Sequence, residues 1–299
     1  MLPEFFMSTT LIQALLSGVA SGALYGLIAL GLSLQFGVMK IINFAHGAFL
    51  MVAMYVSYAL SVKAGLHPLL TLPVTAVILF GIGYLTQRYL IDAIYQKEIA
   101  REPIGVLIFT TGLWIFMNNG MLMIAGPDNR TVASGWNDGL LIFSDYILTY
   151  PQVASTVVSA VATVLLVAFL RWTRLGRAIR ATGQDREAAG ILGINSARIF
   201  QISFAIGLLV LGLAGALLLS LYPVNPFVGD IFGMRAFVIV VLGGIGSIGG
   251  AFWGGVLVGV LESVGSQFMP VTYAEALIFG LFLAVLYFRP SGLFGVESE

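Results

Sequence analysis

Long apolar segments, separated by short clusters of charged, Pro, Gly and Asn residues, run along almost the whole chain. A spanning helix needs about 20 mainly apolar residues, and the chain offers that length many times. The predicted segments are 10–36, 45–62, 68–90, 103–125, 147–170, 199–221, 235–247, 250–269 and 273–289. Segment 235–247 is too short to cross alone. The pattern therefore predicts an all-α integral membrane protein, a polytopic bundle of eight or nine transmembrane helices with broken or short segments.

Composition points to the same solvent. Charged residues make up 9% of the 299 residues and mean hydropathy is +1.00, whereas a soluble domain carries about 25% charged residues. We expect one transmembrane domain over residues 1–299 and no large water-soluble domain. Zero net charge gives no indication of a nucleic-acid partner. The absence of Cys excludes disulfides and thiolate metal sites, and we expect no metal site.

Basic residues set the expected orientation. Residues 171–198, here called the basic segment, hold six of the 14 Lys and Arg residues. Cytoplasmic loops are enriched in Lys and Arg, so we expect this segment inside and the acidic loop 126–145 outside. Arg289 places the C-terminus in the cytoplasm. Nine crossings would put the N-terminus outside and eight would put it inside, and the sequence leaves both open.

The basic segment also carries the signals of a short helix. Thr182 and Asp185 form a capping-box-like start, Asp185 and Glu187 suit a first turn, and Gly193 can stop the helix. Its apolar end consists of Ile191, Leu192 and Ile194. Apolar residues on a helix standing off the membrane suit insertion into a groove on a partner. The alternative is a helix lying on the lipid surface with its Arg residues touching phosphates.

A polar cluster interrupts the first apolar run in "VMKIINFAHGAFL". Asn43 and His46 are three apart and would share one helical face. Polar residues at membrane depth often mark a solute pathway, so we predict a broken helix that offers polar groups to a solute. The structural alternative has Asn43 satisfying freed backbone groups and His46 bonding a carbonyl of a neighbouring helix. Lys40 can snorkel, which would place the break near the cytoplasmic face.

Two other stretches contain polar or Gly-rich breaks. "YPVNPFVGD" ends a helix at its prolines, and its Asn225 could line a solute entrance or cap a turn. "VIVVLGGIGSIGGAFWGG" contains GxGxxG, but its flanks are continuously apolar and Glu262 follows only 13 residues later, which argues against dinucleotide binding. We predict a Gly-rich break between two membrane segments. Within the apolar segments, Glu262 could gate, pair with Arg235 or with another subunit, or stay protonated, and pairing is the expected role.

Several stretches resemble the permeases of bacterial ABC importers, specifically the branched-chain amino acid (LivH-like) family. They are "LYGLIALGLSLQFGVMKIINFAHGAF", "GRAIRATGQDREAAGILGIN", "NPFVGDIFGMRAFVIVVLGGIGSIGGAFWGG" and "RPSGLFG". These blocks occur in order from about residue 20 to 295. The loop 126–148 and the extreme termini carry little resemblance.

The resemblance implies a permease subunit that forms half of a pore for branched-chain or other small amino acids, in the bacterial inner membrane. The expected partners are a second, related permease, two cytoplasmic ATP-binding subunits and an external solute-binding protein. This chain lacks the G-x-x-x-x-G-K-[ST] phosphate cradle. We therefore expect it to bind no cofactor, and ATP and Mg to be used by the partner ATPases. Relatives also move urea, short amides and small carboxylates.

Three groups of candidate residues follow. By resemblance, the residues that couple to the ATPase are Gly176, Arg177, Arg180, Gly183, Asp185, Ala189, Gly193 and Ile194. The candidate pore residues are Asn43, Phe44, His46, Gly47, Asn225 and Phe227. The candidate structural Gly break comprises Gly243, Gly244, Gly246, Gly249 and Gly250.

Two other classes of function fit less well. An ion-coupled secondary transporter needs ionisable relays inside the membrane, and only Glu262, His46 and Lys40 qualify. That class also leaves the helix of the basic segment unexplained. An intramembrane enzyme would need a motif such as HExxH or GxSxG, and the chain contains neither. We therefore expect no catalytic residues.

Overall fold

The computed structural model describes residues 2–95, 104–132, 135–143, 146–289 and 291–295. These residues form helices and one small hairpin. The helices are α1 Leu2–Met39, α2 His46–Lys63, α3 Pro68–Thr86, α4 Asp92–Tyr95, α5 Ile104–Ala125, α6 Tyr150–Trp172, α7 Arg174–Gln184, α8 Arg186–Ile191, α9 Ser196–Leu218, α10 Val228–Gly243, α11 Ile248–Phe268 and α12 Val271–Phe288. A π-helical turn, Gln87–Ile91, joins α3 to α4. The hairpin pairs β1 Leu140–Phe143 with β2 Tyr146–Thr149.

The described residues include seven helices that are long and apolar enough to cross a membrane. The prediction of an all-α polytopic membrane protein is confirmed. The two remaining predicted segments form the shorter helices α2 and α10, of 18 and 16 residues. For α10 the predicted boundaries 235–247 were wrong. Its helix includes Asp230 and Arg235 and ends at Gly243, because Gly244 takes a φ of 98°.

The central packing joins α1 to α11 through glycines. A Cβ on Gly22 would lie 2.7 Å from the Gly255 carbonyl oxygen, and a Cβ on Gly18 would lie 2.9 Å from that of Gly259. Gly26 meets the backbone of α11 at Phe252 in the same way. Glycines four residues apart thus let two helices approach backbone to backbone.

One end of the bundle collects three parts of the chain. A Cβ on Gly37, near the end of α1, would lie 2.9 Å from Gly246, and a Cβ on Gly183 would lie 2.8 Å from the Gly37 carbonyl oxygen. At the same Gly-rich break, the Leu293 N–H donates to the Leu242 carbonyl at 2.8 Å. The basic segment, the Gly break and residues 291–295 therefore lie at one end.

The hairpin lies at the other end, beside the N-terminal half of α1. Gln13 Nε2 donates to the Ile147 carbonyl at 2.6 Å, and the Ile147 N–H donates back to Gln13 Oε1 at 3.1 Å. Gln13 and Leu293 therefore lie at opposite ends of the bundle. This requires an odd number of passes between them and agrees with the nine-crossing alternative. The loop 88–102, whose Arg88, Lys97 and Arg101 predict a cytoplasmic position, is described only as far as residue 95, and residues 96–102 lie outside the described residues.

Three charged residues inside the apolar segments form one ion-paired cluster. Arg235 on α10 forms ion pairs with Glu262 on α11, at 3.0 Å, and with Glu275 on α12. Arg235 Nη1 also donates to the Tyr25 hydroxyl at 2.7 Å. The predicted pairing of Glu262 with Arg235 is confirmed, and the cluster ties four helices together.

Candidate functional site

The helix break that the sequence predicted follows Met39. Lys40 has a φ of 54°, a left-handed conformation that ends α1, and its N–H still donates to Phe36 at 2.8 Å. Asn43 is buried and organises the turn that follows. Its Oδ1 accepts from the Ala45 N–H at 3.0 Å and its Nδ2 donates to Gln35 Oε1 at 3.0 Å. Asn43 therefore satisfies backbone and side-chain groups at the break, as in the structural alternative.

His46 starts α2 deep beside α1. Its ring is buried, and Nε2 lies 3.0 Å from the carbonyl oxygen of Ile28, so Nε2–H donates if the proton is on that nitrogen. Ile28 precedes Met39, the last residue of α1, by 11 residues, or about 16 Å of helix. The break thus leaves Lys40 exposed at the end of α1 but carries the chain back into the bundle before α2 begins. The break therefore starts at one end of the bundle, with Lys40, whereas His46 lies deeper.

The first turns of α2 and α10 touch each other. A Cβ on either Gly47 or Gly229 would collide with the other's carbonyl oxygen, and a Cβ on Gly233 would lie 3.0 Å from Gly47 Cα. Only glycine permits this contact between the two backbones. The two short helices therefore start side by side, inside the bundle.

A cavity of about 390 Å³, here called the α2/α10 cavity, opens at this meeting point. Four of the candidate pore residues line it: Asn43, Phe44, His46 and Gly47. Its other lining residues are Leu32, Ile42, Trp114, Gly229, Asp230, Gly233, Met234 and Phe237. The walls are mostly apolar with a few polar groups, which is typical of a small-molecule site.

Asp230 connects α10 to α5 at the edge of this cavity. Its Oδ1 accepts from Trp114 Nε1 at 2.6 Å and from Asn118 Nδ2 at 2.8 Å. Asp230 lies in the first turn of α10, where the helix dipole stabilises a carboxylate. The carboxylate is thus held in place by two donors from a neighbouring helix.

The other two candidate pore residues do not line the α2/α10 cavity. Asn225 Oδ1 accepts from the Phe227 N–H at 2.9 Å, and Asn225 Nδ2 donates to Asn129 Oδ1 at 2.9 Å. Phe227 is the N-cap residue of α10 and is half exposed. The structure gives Asn225 the capped-turn role that was the alternative prediction.

The basic segment folds into two short helices whose starts are capped. Thr173 Oγ1 accepts from the Gly176 N–H at 2.9 Å, ahead of α7. Asp185 Oδ1 accepts from the N–H groups of Glu187 and Ala188 at 2.8 and 3.0 Å, ahead of α8. Asp185 is thus the N-cap of α8. The predicted role of Thr182 was wrong, because Thr182 is buried inside α7 and donates to the Ala178 carbonyl at 2.9 Å.

The candidate coupling residues separate into an inward and an outward set. Gly176 and Ala189 are buried, and Gly183 packs against Gly37. Ile194 is partly buried against the core. The outward members are Arg177, Arg180, Asp185 and Gly193.

Two apolar side chains at the C-terminal end of α8 are largely exposed. Ile191 is 87% and Leu192 79% exposed. Gly193, with a φ of 81°, ends α8 directly after them. A cleft of about 610 Å³, lined in part by Arg180, Gly183 and Gly246, lies beside α7. The basic segment therefore presents an apolar tip and several arginines at the surface.

The candidate Gly break is built as a tight backbone crossing. Gly243 and Gly250 approach so closely that a Cβ on either would collide with the other's carbonyl. Gly244 and Gly246 have φ values of 98° and 79°, which L side chains rarely adopt. Position 249 has open space around it, so packing does not require a glycine there. The preceding VIVV stretch is helical, within α10, which removes the strand that a dinucleotide site needs.

Sequence reasoning missed three polar residues of this region. Gln35 is fully buried beside Asn43, and Trp114 and Asn118 hold Asp230. Asn118 and Gln35 are polar residues within apolar segments, and this feature could have identified them from the sequence. Trp114 gave no such signal, because a tryptophan in an apolar segment is ordinarily a packing residue.

Comparison with known proteins identifies the family. The sequence model of the family described as "Branched-chain amino acid transport system / permease component" matches residues 14–286. The chain belongs to this family. It is 33% identical over 299 residues to the high-affinity branched-chain amino acid transport system permease protein LivH of Salmonella typhimurium, covering 95% of both chains. Permease protein BraD of Pseudomonas aeruginosa is also 33% identical, over 298 residues and 95% of both chains. No solved structure gives a significant match.

Membership in this permease family decides between the classes of function considered above. The chain is a multi-pass membrane protein and a transport component, and it is not a catalytic enzyme. Within the part of the chain that the structure describes, no group of three His, Cys, Asp or Glu side chains is placed to hold a metal ion.

Proposed function

We propose that this permease forms half of the translocation pore of an ATP-driven importer for branched-chain or other small amino acids. The pore is completed by a second, related permease, and an external binding protein delivers the solute. Two ATP-binding subunits use ATP and Mg on the cytoplasmic side. The observation that carries the proposal is the exposed apolar tip of α8, Ile191 and Leu192, in a chain of this permease family.

The tip fits a protein partner better than a lipid surface. A helix lying on lipid would turn a continuous apolar face to the membrane, but Ala189 of α8 packs inward and the large exposed apolar residues, Ile191 and Leu192, stand only at the end of α8. The six-residue α8 is fixed by its Asp185 cap and by the cation–π contact of Arg186 with Phe200, at 5.4 Å. A rigid helix with a projecting apolar end can transmit the movement of a subunit into which it inserts.

The orientation of the permease follows from its basic residues. The end that carries the basic segment faces the cytoplasm of a bacterial cell under the positive-inside rule. Residues 291–295 lie at that same end, which supports the proposal of a cytoplasmic C-terminus. The hairpin and the acidic loop before it then face the external binding protein.

The pathway for the solute runs past the α2/α10 cavity. Its apolar walls suit an aliphatic side chain, and the binding protein makes the first selection of solute. Importers of urea, short amides or small carboxylates would use the same assembly. An uptake assay is therefore needed to distinguish these solutes from amino acids.

Co-expression of the tagged chain with its genomic neighbours tests the assignment. We expect a second permease and the ATP-binding subunits to co-purify. In proteoliposomes, ATP hydrolysis should rise when leucine-loaded binding protein is added, and ATP should drive leucine uptake. Screening urea, acetamide and short carboxylates in the same assay tests the alternative cargo. A chain that purifies alone and accumulates solute on an ion gradient would overturn the proposal.

A further inference from the structure

Only one of the two carboxylate oxygens of Asp230 accepts hydrogen bonds from side chains of the described residues. Trp114 and Asn118 both donate to Oδ1, and among the described residues none donates to Oδ2. The side chain is partly buried at the edge of the α2/α10 cavity. One oxygen is therefore fixed by the protein while the other is left for a different donor.

No positive charge balances this carboxylate from the cavity wall. The lining contains neither Lys nor Arg, and Asp230 is its one acidic residue. The nearest arginine along α10, Arg235, is engaged by Glu262, Glu275 and Tyr25. An unbalanced charge at membrane depth is costly, and such residues commonly mark a substrate or ion pathway.

We propose that Asp230 binds the α-ammonium group of an amino acid in transit through the α2/α10 cavity. This rests on the proposed function and assigns the cargo class at that site. The ammonium donates to Asp230 Oδ2, and the aliphatic side chain contacts Leu32, Met234 and Phe237, which line the same cavity. Trp114 and Asn118 are positioning residues that fix Oδ1.

The charge at Asp230 also separates the candidate cargoes. A small carboxylate without an ammonium group meets like charge there and is disfavoured. Urea and short amides can donate hydrogen bonds but gain no ion pair. A cavity of about 390 Å³ lies within the range of about 300–1,000 Å³ that is common for small-molecule sites. The arrangement therefore favours a zwitterionic amino acid or an amine.

The absence of native Cys allows a binding test that does not depend on transport. A single thiol is introduced by Phe44→Cys in the cavity wall, and its modification by a methanethiosulfonate reagent is followed in the assembled importer. Protection is measured with L-leucine, with isopentylamine, which lacks the carboxylate, and with 4-methylpentanoate, which lacks the ammonium. Asp230→Asn tests the charge while keeping Oδ1 as an acceptor, and Asp138→Asn, at an exposed site outside the cavity, is the matched control.

We expect leucine and isopentylamine to slow modification and 4-methylpentanoate to have no effect. Asp230→Asn should raise the leucine concentration needed for protection by about tenfold or more, as expected for a hydrogen bond to a charged group. Asp138→Asn should leave it unchanged. Protection by 4-methylpentanoate equal to that by leucine, an unchanged requirement in Asp230→Asn, or no protection by leucine would each overturn the inference. ATP-driven leucine uptake by the unmodified importer tests the proposed function separately.

Discussion

The basic segment and the α2/α10 cavity use polar and apolar residues in opposite ways. In the basic segment, Gly176 and Ala189 face inward while the arginines and large apolar residues such as Ile191 and Leu192 face out. In the cavity, Asn43 and His46 are buried and bonded to the protein, and apolar residues form the walls. Each region therefore contains some residues that hold the backbone and others that are free to meet a partner or a solute.

This difference separates candidate residues with a structural role from those that could contact a partner or a solute. Gly176, Ala189, Asn43 and Gly47 are required by the fold at their sites. Their replacement would harm function through the structure. The residues with unused contact surface are the better candidates for direct roles, and they include Ile191, Leu192 and Asp230.

The largest expected effect comes from the glycine contact between α2 and α10. Gly47→Leu would force the two helices apart, at a cost of at least about 1–3 kcal/mol and more where backbone must move. We expect loss of folded protein in detergent, measured by size-exclusion chromatography after heating. Gly112→Leu is the control, because nothing lies within 4 Å of the Cβ it would add. Equal melting temperatures for the two variants would disprove the close contact.

The exposed tip should show the next largest effect, with no loss of stability. Burial of one large apolar side chain is worth about 1.5–3 kcal/mol, so Ile191→Asp with Leu192→Asp should weaken docking by more than about a hundredfold. ATP-driven uptake should fall to background while the melting temperature stays normal. Ile142→Asp, at a 67% exposed site in the hairpin, is the control. Uptake at the wild-type rate in the double variant would remove the docking role.

Replacement of Asn43 tests whether this residue stabilises the helix break beside the α2/α10 cavity. Asn43→Ala removes the bonds to Ala45 and Gln35 and leaves a buried Gln35 acceptor unsatisfied, which costs about 1–3 kcal/mol. The melting temperature should fall, and Asn43→Asp, which keeps the acceptor for Ala45 but places a buried carboxylate against Gln35 Oε1, should fall at least as far. A variant that loses leucine binding at an unchanged melting temperature would instead show that Asn43 contacts solute.

The smallest effect concerns the cap of α8. Asp185→Ala should cost about 0.5–2 kcal/mol of local helix stability and lower uptake severalfold, because α8 frays and its tip is less fixed. Asp185→Ser can still cap the helix and should restore most of the uptake. If Ala and Ser variants transport equally, capping is not what Asp185 contributes.

The apolar pattern predicted nearly all of the helices, because lipid requires long apolar segments wherever the chain crosses. It misplaced the start of α10 at residue 235 instead of Val228, because the charged Asp230 and Arg235 interrupt the apolar pattern there. Both are accommodated by partners distant in sequence, Trp114 and Glu262 respectively. Such long-range pairs leave no periodic trace in one sequence. The predicted cap at Thr182 was wrong for a similar reason, since tertiary packing extends α7 across it.

A crosslinking experiment tests the docking of the permease most directly. Leu192→Cys in the otherwise Cys-free chain is combined with thiol-directed crosslinkers in membranes that contain the complete importer. We expect a crosslink to an ATP-binding subunit from position 192, changed in yield by ATP, and none from Ile142→Cys at the opposite end. No crosslink from position 192 in an assembled complex, or a crosslink to the ATP-binding subunit from position 142, would contradict it.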